Sequence, residues 1–301
     1  MSKVMLIVNP SSGHETAKDY VEDVVKQLEN VFDEITLKYT EKKWDATRFS
    51  KQAVEEEYDS VFALGGDGTV NECINGIAGE QKRPNFGFIP LGTVNDLGRV
   101  LGISMDPNQA IQEIPNMTTR KIDVGKVNDT YFVDILAVGT IPEAVQDVPI
   151  EQKTRLGPFA YIIEGIKSLR ENQAYPFKVE FDQEKAEFES FLLMVALTNS
   201  IAGIPSMIPT ASVDDGYLHC LAITGEKIID KLDVLPKVFT GNLTEDEHVF
   251  YKAFKKGKIQ VEGNHELAIN VDGDQGSVLP INIEILPQHI TCYISKESNG
   301  D

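Results

Sequence analysis

The sequence predicts an α/β domain built on a parallel sheet, followed by a mostly antiparallel β domain. In the first third of the chain, apolar strand-like runs alternate with amphipathic segments at short spacing. Repeated β-α units of this kind imply a parallel sheet covered by helices on both faces. A Gly-rich turn, Gly65 to Thr69, falls between one such run and a helical pattern. After about Asp123 strand-like runs separated by turn chemistry dominate, as in an antiparallel β domain.

Val4 to Val8 is a continuous apolar run, suited to a strand buried on both faces. The loop Asn9-Pro10-Ser11-Ser12-Gly13 follows, then a charged amphipathic segment to about Asn30. Ile35, Leu37 and Tyr39 alternate as a second strand, and Asp45 is placed to cap a helix carrying Phe49, Ala53 and Val54. Ser60 to Leu64 reads as a third, buried strand. Beyond the Gly-rich turn, Val70, Cys73, Ile74 and Ile77 fall at i, i+3, i+4 and i+7, one face of a helix. Phe86 to Pro90 is a fourth strand, ending in Leu91-Gly92-Thr93-Val94-Asn95-Asp96, and Asp106-Pro107 is a helix start. The later strand-like runs are Tyr131 to Val138, Phe177 to Phe181, Phe188 to Leu197, Leu218 to Thr224, Ile259 to Glu262 and Leu267 to Val271. Helical segments near Phe159 to Arg170 and Lys227 to Phe239 interrupt them. Ile281 to Ser295 returns to strand patterning, and from about Lys296 the residues read as a tail.

Composition narrows the function classes. At 301 residues there is room for two domains or one large one. The 42% hydrophobic content is that of an ordinary globular chain, and no apolar stretch reaches the roughly 20 residues that span a bilayer. Residues 1 to 8 carry no basic region followed by a cleavage site, so no signal peptide is expected. Cys73, Cys220 and Cys292 are odd in number and widely spaced, which argues against a disulfide framework or a Cys-based zinc site and fits a reducing cytosol. The five histidines are dispersed without a metal pattern. A net charge of -19 works against generic nucleic-acid binding and against broad adsorption to anionic membranes. Lys252, Lys255, Lys256 and Lys258 form a local basic run, and Lys153, Arg155, Lys167 and Arg170 are spread through an apolar stretch.

The chemistry gathers on one edge. In a parallel α/β sheet ligands bind outside the carboxyl ends of the strands. The loops Asn9 to Gly13, Gly65 to Thr69 and Gly92 to Asp96 all leave such ends, and Thr40 ends the second strand on the same edge. Each loop combines Gly with Ser, Thr or Asn. Glycines let backbone amides approach an anion, and a helix N-terminus adds favourable partial charge, so phosphate is the expected ligand. Asp67 would repel bare phosphate, which points to a cation bound with it. Together the loops form a candidate nucleotide cradle.

With those residues in hand, the chain resembles the soluble bacterial diacylglycerol kinase family, related to the eukaryotic sphingosine and diacylglycerol kinases. The resemblance covers essentially the whole chain. It rests on Asn9-Pro10-Ser11-Ser12-Gly13, Gly65 to Glu72, Pro90 to Asp96, Lys121-Ile122-Asp123-Val124-Gly125, Leu156 to Tyr161, Thr198-Asn199-Ser200, Asp214-Asp215-Gly216-Tyr217 and Val271-Asp272-Gly273-Asp274. NAD kinases and phosphofructokinases also use a Gly-Gly-Asp-Gly-Thr turn, whereas the Gly-Thr-x-Asn-Asp loop and the later Asp-Asp-Gly segment look like the lipid kinases. The resemblance implies an N-terminal NAD-kinase-like (Rossmann-like) α/β domain over residues 1–125, to which a C-terminal stretch of about 285–301 returns. It implies a C-terminal β-sandwich over 126–284 and an active site between the two.

By the same resemblance, Asn9, Pro10, Ser11, Ser12, Gly13, Thr40, Gly65, Gly66, Asp67, Gly68, Thr69, Val70, Asn71, Glu72 and Thr93 would contact ATP. Asp67, Asp96 and Asp123 would be linked through water to a catalytic magnesium. A second, structural magnesium would be held by Ser212, Asp215 and Tyr217, with Ser212 and Tyr217 giving backbone oxygens, ligands that suit a hard cation. The family usually has Asp-Gly-Glu where this chain has Asp272-Gly273-Asp274, the Glu being the base that takes the lipid hydroxyl proton. Asp274 keeps the carboxylate but reaches less far by one methylene, about 1.5 Å. A base must come within about 2.6 to 3.2 Å of its proton or act through one water. Three readings follow: a shifted backbone keeps Asp274 as base, a water bridges it to the substrate, or the enzyme is slow or inactive on diacylglycerol.

The expected activity is therefore ATP- and magnesium-dependent phosphorylation of diacylglycerol to phosphatidic acid. The alternatives are a kinase for another lipid alcohol (a sphingoid base, monoacylglycerol or phosphatidylglycerol), an NAD kinase, or a weakly active nucleotide- or lipid-sensing homologue. The protein is expected in the cytoplasm, transiently peripheral to the membrane, with no transmembrane segment and no nucleic-acid partner. A homodimer is allowed. Leu156 to Leu169 is the candidate lipid-facing helix, with a core helix of the β domain as the other reading.

Overall fold

The computed structural model describes residues 1–13, 16–139, 174–200, 207–224 and 243–296. The helical segments expected at 159–170 and 227–239, and with them the candidate lipid-facing helix, lie outside the described residues. The chain divides into two compact units, one of Met1–Val124 with Gln288–Asp301 and one of Gly125–Pro287.

The first unit is an α/β layer structure. Strands β1 (Lys3–Val8), β2 (Glu34–Tyr39), β3 (Ser60–Gly65) and β4 (Asn85–Pro90) run parallel in the order β2-β1-β3-β4. Val4 through Val8 have no exposed surface, and burying each large aliphatic side chain contributes about 1.5–3 kcal/mol. At the sheet edge, β2 leaves Leu37 and Tyr39 exposed, so its apolar alternation marks a strand without marking a core face.

Helices α1 (Val21–Leu28), α2 (Asp45–Glu55), α3 (Asp67–Ile77), α4 (Asp96–Val100) and α5 (Pro107–Glu113) alternate with the strands. The i, i+3, i+4, i+7 set of α3 is buried throughout. A Cβ on Gly76 would lie 2.4 Å from the Thr47 carbonyl oxygen, so α3 and α2 meet backbone to backbone. Asp106 caps α5 by accepting the amides of Asn108 and Gln109 at 2.8 and 3.4 Å, with Pro107 opening the helix. Asp45 differs from the expected cap. It is the first residue of α2, and its carboxylate accepts the amides of Glu41 and Lys42 in the preceding turn.

Part of the last strand completes this unit. Cys292 pairs in parallel with Phe86, the Tyr293 hydroxyl lies 2.8 Å from Ser60 Oγ, and its ring lies 5.0 Å from that of Phe62.

The second unit is a β-sandwich. Strands β5 (Thr118–Val127) and β6 (Thr130–Phe132) pair as a hairpin at its start. The further strands are β7 (Ile135–Gly139), β8 (Tyr175–Phe181), β9 (Glu184–Ser190), β10 (Leu192–Ala196), β11 (Leu218–Ile223), β12 (Val249–Phe254), β13 (Lys256–Val261), β14 (Ala268–Val271), β15 (Asp274–Val278) and β16 (Ile281–Ile294). One antiparallel sheet has the order β12-β11-β10-β7-β14-β15, and the other runs β16-β13-β8-β9. Inward residues of both sheets share one core: Leu193, Val195, Cys220 and Val271 from the first, Phe177, Val179, Ile259 and Ile283 from the second.

Two expected runs are each divided into two strands. Tyr131 to Val138 breaks at Val133–Asp134, where the backbone amides turn to a side-chain acceptor. Phe188 to Leu197 breaks at Phe191, where the chain passes from one sheet to the other. Among the described residues no helix is long and apolar enough to cross a membrane.

Candidate functional site

Three loops leave the carboxyl ends of β1, β3 and β4, and hydrogen bonds knit them together. Asn9 donates its amide to the Leu64 carbonyl at 3.0 Å and its Nδ2 to Thr69 Oγ1 at 2.9 Å. Its Oδ1 accepts from the Ser11 amide and hydroxyl, which closes the turn over Pro10. The Gly66 amide donates to Ser12 Oγ at 3.3 Å, the Leu91 amide to the Gly65 carbonyl at 2.9 Å, and the Thr40 amide to the Val8 carbonyl at 2.9 Å.

Glycine is required where the loops touch. A Cβ on Gly66 would stand 3.0 Å from Gly92 Cα, and one on Gly92 would stand 2.7 Å from Asp67 Oδ2. Around Gly68 the space is open, with nothing within 4 Å of an added Cβ. Gly13 takes a left-handed φ of +63° at the end of its loop. The result is a backbone-lined rim at the N-terminus of α3, the setting in which amides and helix dipole favour an anion.

The acidic residues divide. Asp67 opens α3, and its Oδ2 accepts the Asn95 amide at 3.1 Å. Asn95, at φ +53°, uses its own side chain to bridge the amide and carbonyl of Gly92. Asp67 thus fixes the shape of the third loop, a role its position in a Gly-rich turn did not announce. Burial raises its carboxyl above the ordinary range, the amide of Asn95 opposes this, and the charge of Asp96 adds to the rise.

Asp96 opens α4 and is 1% exposed. Asp123, also buried, sits on β5 and accepts the Gln288 amide at 2.7 Å. Among the described residues no three His, Cys, Asp or Glu side chains are gathered closely enough to hold a metal ion by themselves.

The raised Asp67 carboxyl has a consequence for stability. Its folded pKa lies above the unfolded value of about 4. The folded state therefore keeps its proton longer, and this contribution is present below about pH 4 and lost as pH rises through the folded value. The melting temperature of the parent relative to Asp67→Asn is expected to fall as pH rises above about 4. A difference that grows with pH in thermal melts would contradict the burial account.

Of the expected nucleotide residues, Asn9, Pro10, Ser11, Ser12, Gly13, Thr40, Gly65, Gly66, Asp67, Gly68, Thr69 and Thr93 come together on this edge. Val70, Asn71 and Glu72 continue α3 beyond them and also serve the fold. Val70 is buried in the core, and Asn71 is buried against Asn75. Glu72 Oε2 accepts the Ala46 amide at 3.1 Å, capping α2 where Asp45 was expected to do so.

In the second unit, Asp274 opens β15 after a two-residue turn, half-buried, with Val271 as its strand partner. Asp272 and Gly273, at φ +48° and +89°, form the turn, the left-handed pair that Asp-Gly favours in hairpins. Asp272 does more than turn the chain. Its Oδ2 accepts the Val133 amide at 2.9 Å, and its Oδ1 accepts the amides of Asp134 and Ile135 at 3.2 and 2.9 Å. That fan of donors is what interrupts the expected Tyr131–Val138 strand, and it fixes the backbone from which Asp274 projects. The run Leu267 to Val271 signals the first strand of this hairpin, and nothing local signals the fan.

The Ser212–Tyr217 loop is organised by Asp215, whose Oδ2 accepts the Ser212 amide and whose Oδ1 accepts the Tyr217 amide, both at 2.8 Å. With one carboxylate and the backbone oxygens of Ser212 and Tyr217, the donor set is all oxygen, the kind a hard cation takes.

Comparison with known proteins agrees with this layout. Residues 3–127 match the family described as the diacylglycerol kinase catalytic domain, and residues 138–294 match the YegS C-terminal NAD kinase beta sandwich-like domain. A diacylglycerol kinase of Staphylococcus epidermidis is 36% identical over 295 residues, 98% of this chain and 93% of that one. A diacylglycerol kinase of Staphylococcus saprophyticus is 37% identical over 299 residues, 99% and 97% of the two chains. Among solved structures, a diacylglycerol kinase from Bacillus anthracis superposes with a TM-score of 0.84 at 29% identity, covering 99% of this chain and 98% of that one.

Proposed function

The chain belongs to the diacylglycerol kinase catalytic-domain family, and from that premise we propose that it uses ATP and magnesium to phosphorylate the hydroxyl of diacylglycerol, giving phosphatidic acid. The observation that carries the reading is the interlocked rim of Asn9–Gly13, Gly65–Thr69 and Gly92–Asp96 at the N-terminus of α3. A rim of amides with open space at Gly68 suits the phosphates of a nucleotide. Phosphoryl transfer needs positioning and charge neutralisation more than covalent chemistry.

In this reading the amides of Gly66 to Thr69, with Asn9 to Gly13, Thr40 and Thr93, hold the phosphate chain. Magnesium, when bound, supplies charge neutralisation at the phosphate oxygens, with Asp67, Asp96 and Asp123 holding its water. Asp274 takes the proton of the lipid hydroxyl. The loop of Ser212, Asp215 and Tyr217 holds a second magnesium with a structural role. The lipid is met at a bilayer surface by a protein otherwise in the cytoplasm.

The shorter carboxylate at position 274 favours a second reading confined to the acceptor: another lipid alcohol, such as a sphingoid base, monoacylglycerol or phosphatidylglycerol. Radiolabelled ATP with magnesium, offered these lipids and diacylglycerol in mixed micelles and NAD in solution, tests both. Label is expected in phosphatidic acid. Label confined to another lipid would move the assignment to that acceptor, label in NAD would replace lipid kinase by NAD kinase, and ATP binding without transfer to any acceptor would leave a sensing homologue.

A further inference from the structure

Behind Asp215 the sandwich holds a line of three polar side chains, His219, Tyr251 and Thr210, of which His219 is buried and Thr210 exposed. His219, on β11, is 3% exposed. Its Nε2 lies 3.0 Å from Asp215 Oδ2, and its Nδ1 lies 2.9 Å from the Tyr251 hydroxyl. Thr210 Oγ1 lies 3.3 Å from that same hydroxyl. Tyr251 is on β12, where Ala253 pairs with His219 and Leu221 pairs with Tyr251, so the two rings are diagonal neighbours on one face and lie 15° from parallel.

The carboxylate end of this line fixes the direction of its first hydrogen bond. A carboxylate only accepts, so Nε2 carries the hydrogen that reaches Asp215. On the far side of the ring Nδ1 and the Tyr251 hydroxyl satisfy one another, with the Thr210 hydroxyl beyond them. A buried imidazole left without partners would be costly. Here both nitrogens have partners, and the ring is fixed in position.

We infer that His219 is the positioning residue of the cation loop, an inference that rests on the proposed magnesium at Ser212, Asp215 and Tyr217. Asp215 Oδ2 takes two donors, from the Ser212 amide and His219, whereas among the described residues Oδ1 takes the Tyr217 amide. A carboxylate has about four acceptor directions. His219 and Ser212 fill both of those on Oδ2 and prevent the group from rotating, which keeps the remaining direction of Oδ1 for the cation. Partners that orient a ligating carboxylate in this way typically contribute about 10–100-fold to metal affinity.

Titration of the full chain with magnesium chloride alone, read by calorimetry and by the rise in melting temperature, tests the inference without reference to turnover. Asp215→Asn identifies the part of the response that belongs to this loop. His219→Leu is expected to weaken that part by about tenfold or more. His219→Gln restores a side-chain N–H near the place of Nε2 and is expected to recover most of the affinity. Tyr251→Phe releases the ring while sparing the fold, and is expected to weaken binding by a smaller factor. Magnesium affinity in His219→Leu equal to that of the parent overturns the inference. Should His219→Leu not fold, unchanged affinity in Tyr251→Phe overturns it. A parent response that Asp215→Asn leaves intact removes the cation reading itself, and the inference with it.

Discussion

Asp274→Asn is expected to lower lipid phosphorylation by about 10²–10⁴-fold at saturating ATP and magnesium, the range a positioned general base contributes. The amide keeps the size and the first position of β15 but cannot take the hydroxyl proton. The loops proposed to hold ATP belong to the other unit, so the KM for ATP is expected to hold while kcat falls. Initial rates with radiolabelled ATP and micellar diacylglycerol read both. Unchanged turnover would remove Asp274 as base. Asp274→Glu lengthens the side chain by about 1.5 Å and is expected to retain or raise activity. A collapse on that change would mean that the site is built around the shorter side chain.

Asp272→Ala is expected to cost about 4 kcal/mol of stability. Three backbone amides converge on this carboxylate, and hydrogen bonds to a charged group are worth about 1.5–3 kcal/mol each without adding in full. Alanine would also have to occupy a left-handed φ of +48°, which costs about 1 kcal/mol more. Asp272→Asn keeps a residue suited to the turn but offers one acceptor oxygen to three donors, so a smaller loss is expected. Guanidinium unfolding midpoints measure both. A loss below about 1 kcal/mol for the alanine variant would contradict the anchoring account. Because the turn holds the backbone of Asp274, turnover is expected to fall in both variants even below their melting temperatures.

The sequence was most readable where one interaction dominates. Val4–Val8 and Ser60–Leu64 are buried on both faces, and continuous apolar runs say so. The apolar set of α3 is one face of a helix, and Asp106-Pro107 carries its cap in two adjacent residues. The three glycine-containing loops at the carboxyl ends of β1, β3 and β4 are legible because glycine at a strand end has few other uses. Strands β5, β12 and β15 are not legible as such, since they carry charged or small residues that mask the apolar alternation.

The site was less legible wherever a carboxylate serves a backbone remote in sequence. Asp67 binding Asn95, Glu72 capping Ala46, and Asp272 gathering Val133 to Ile135 are set by tertiary contact. Asp215 and His219 lie four residues apart, but the Tyr251 hydroxyl that holds the far side of the ring comes from a strand 32 residues on.

The way β16 is shared between the units sets an order of synthesis. Residues 125–287 emerge from the ribosome before the segment that pairs Cys292 with Phe86 and brings Tyr293 against Ser60 and Phe62. The first unit is therefore completed in synthesis only after the second, against the usual amino-to-carboxyl order of domains. The sandwich can close while the first four parallel strands still wait for their fifth. A nascent chain stalled before residue 288 would display an unfinished β4 edge to chaperones, whatever the state of the sandwich.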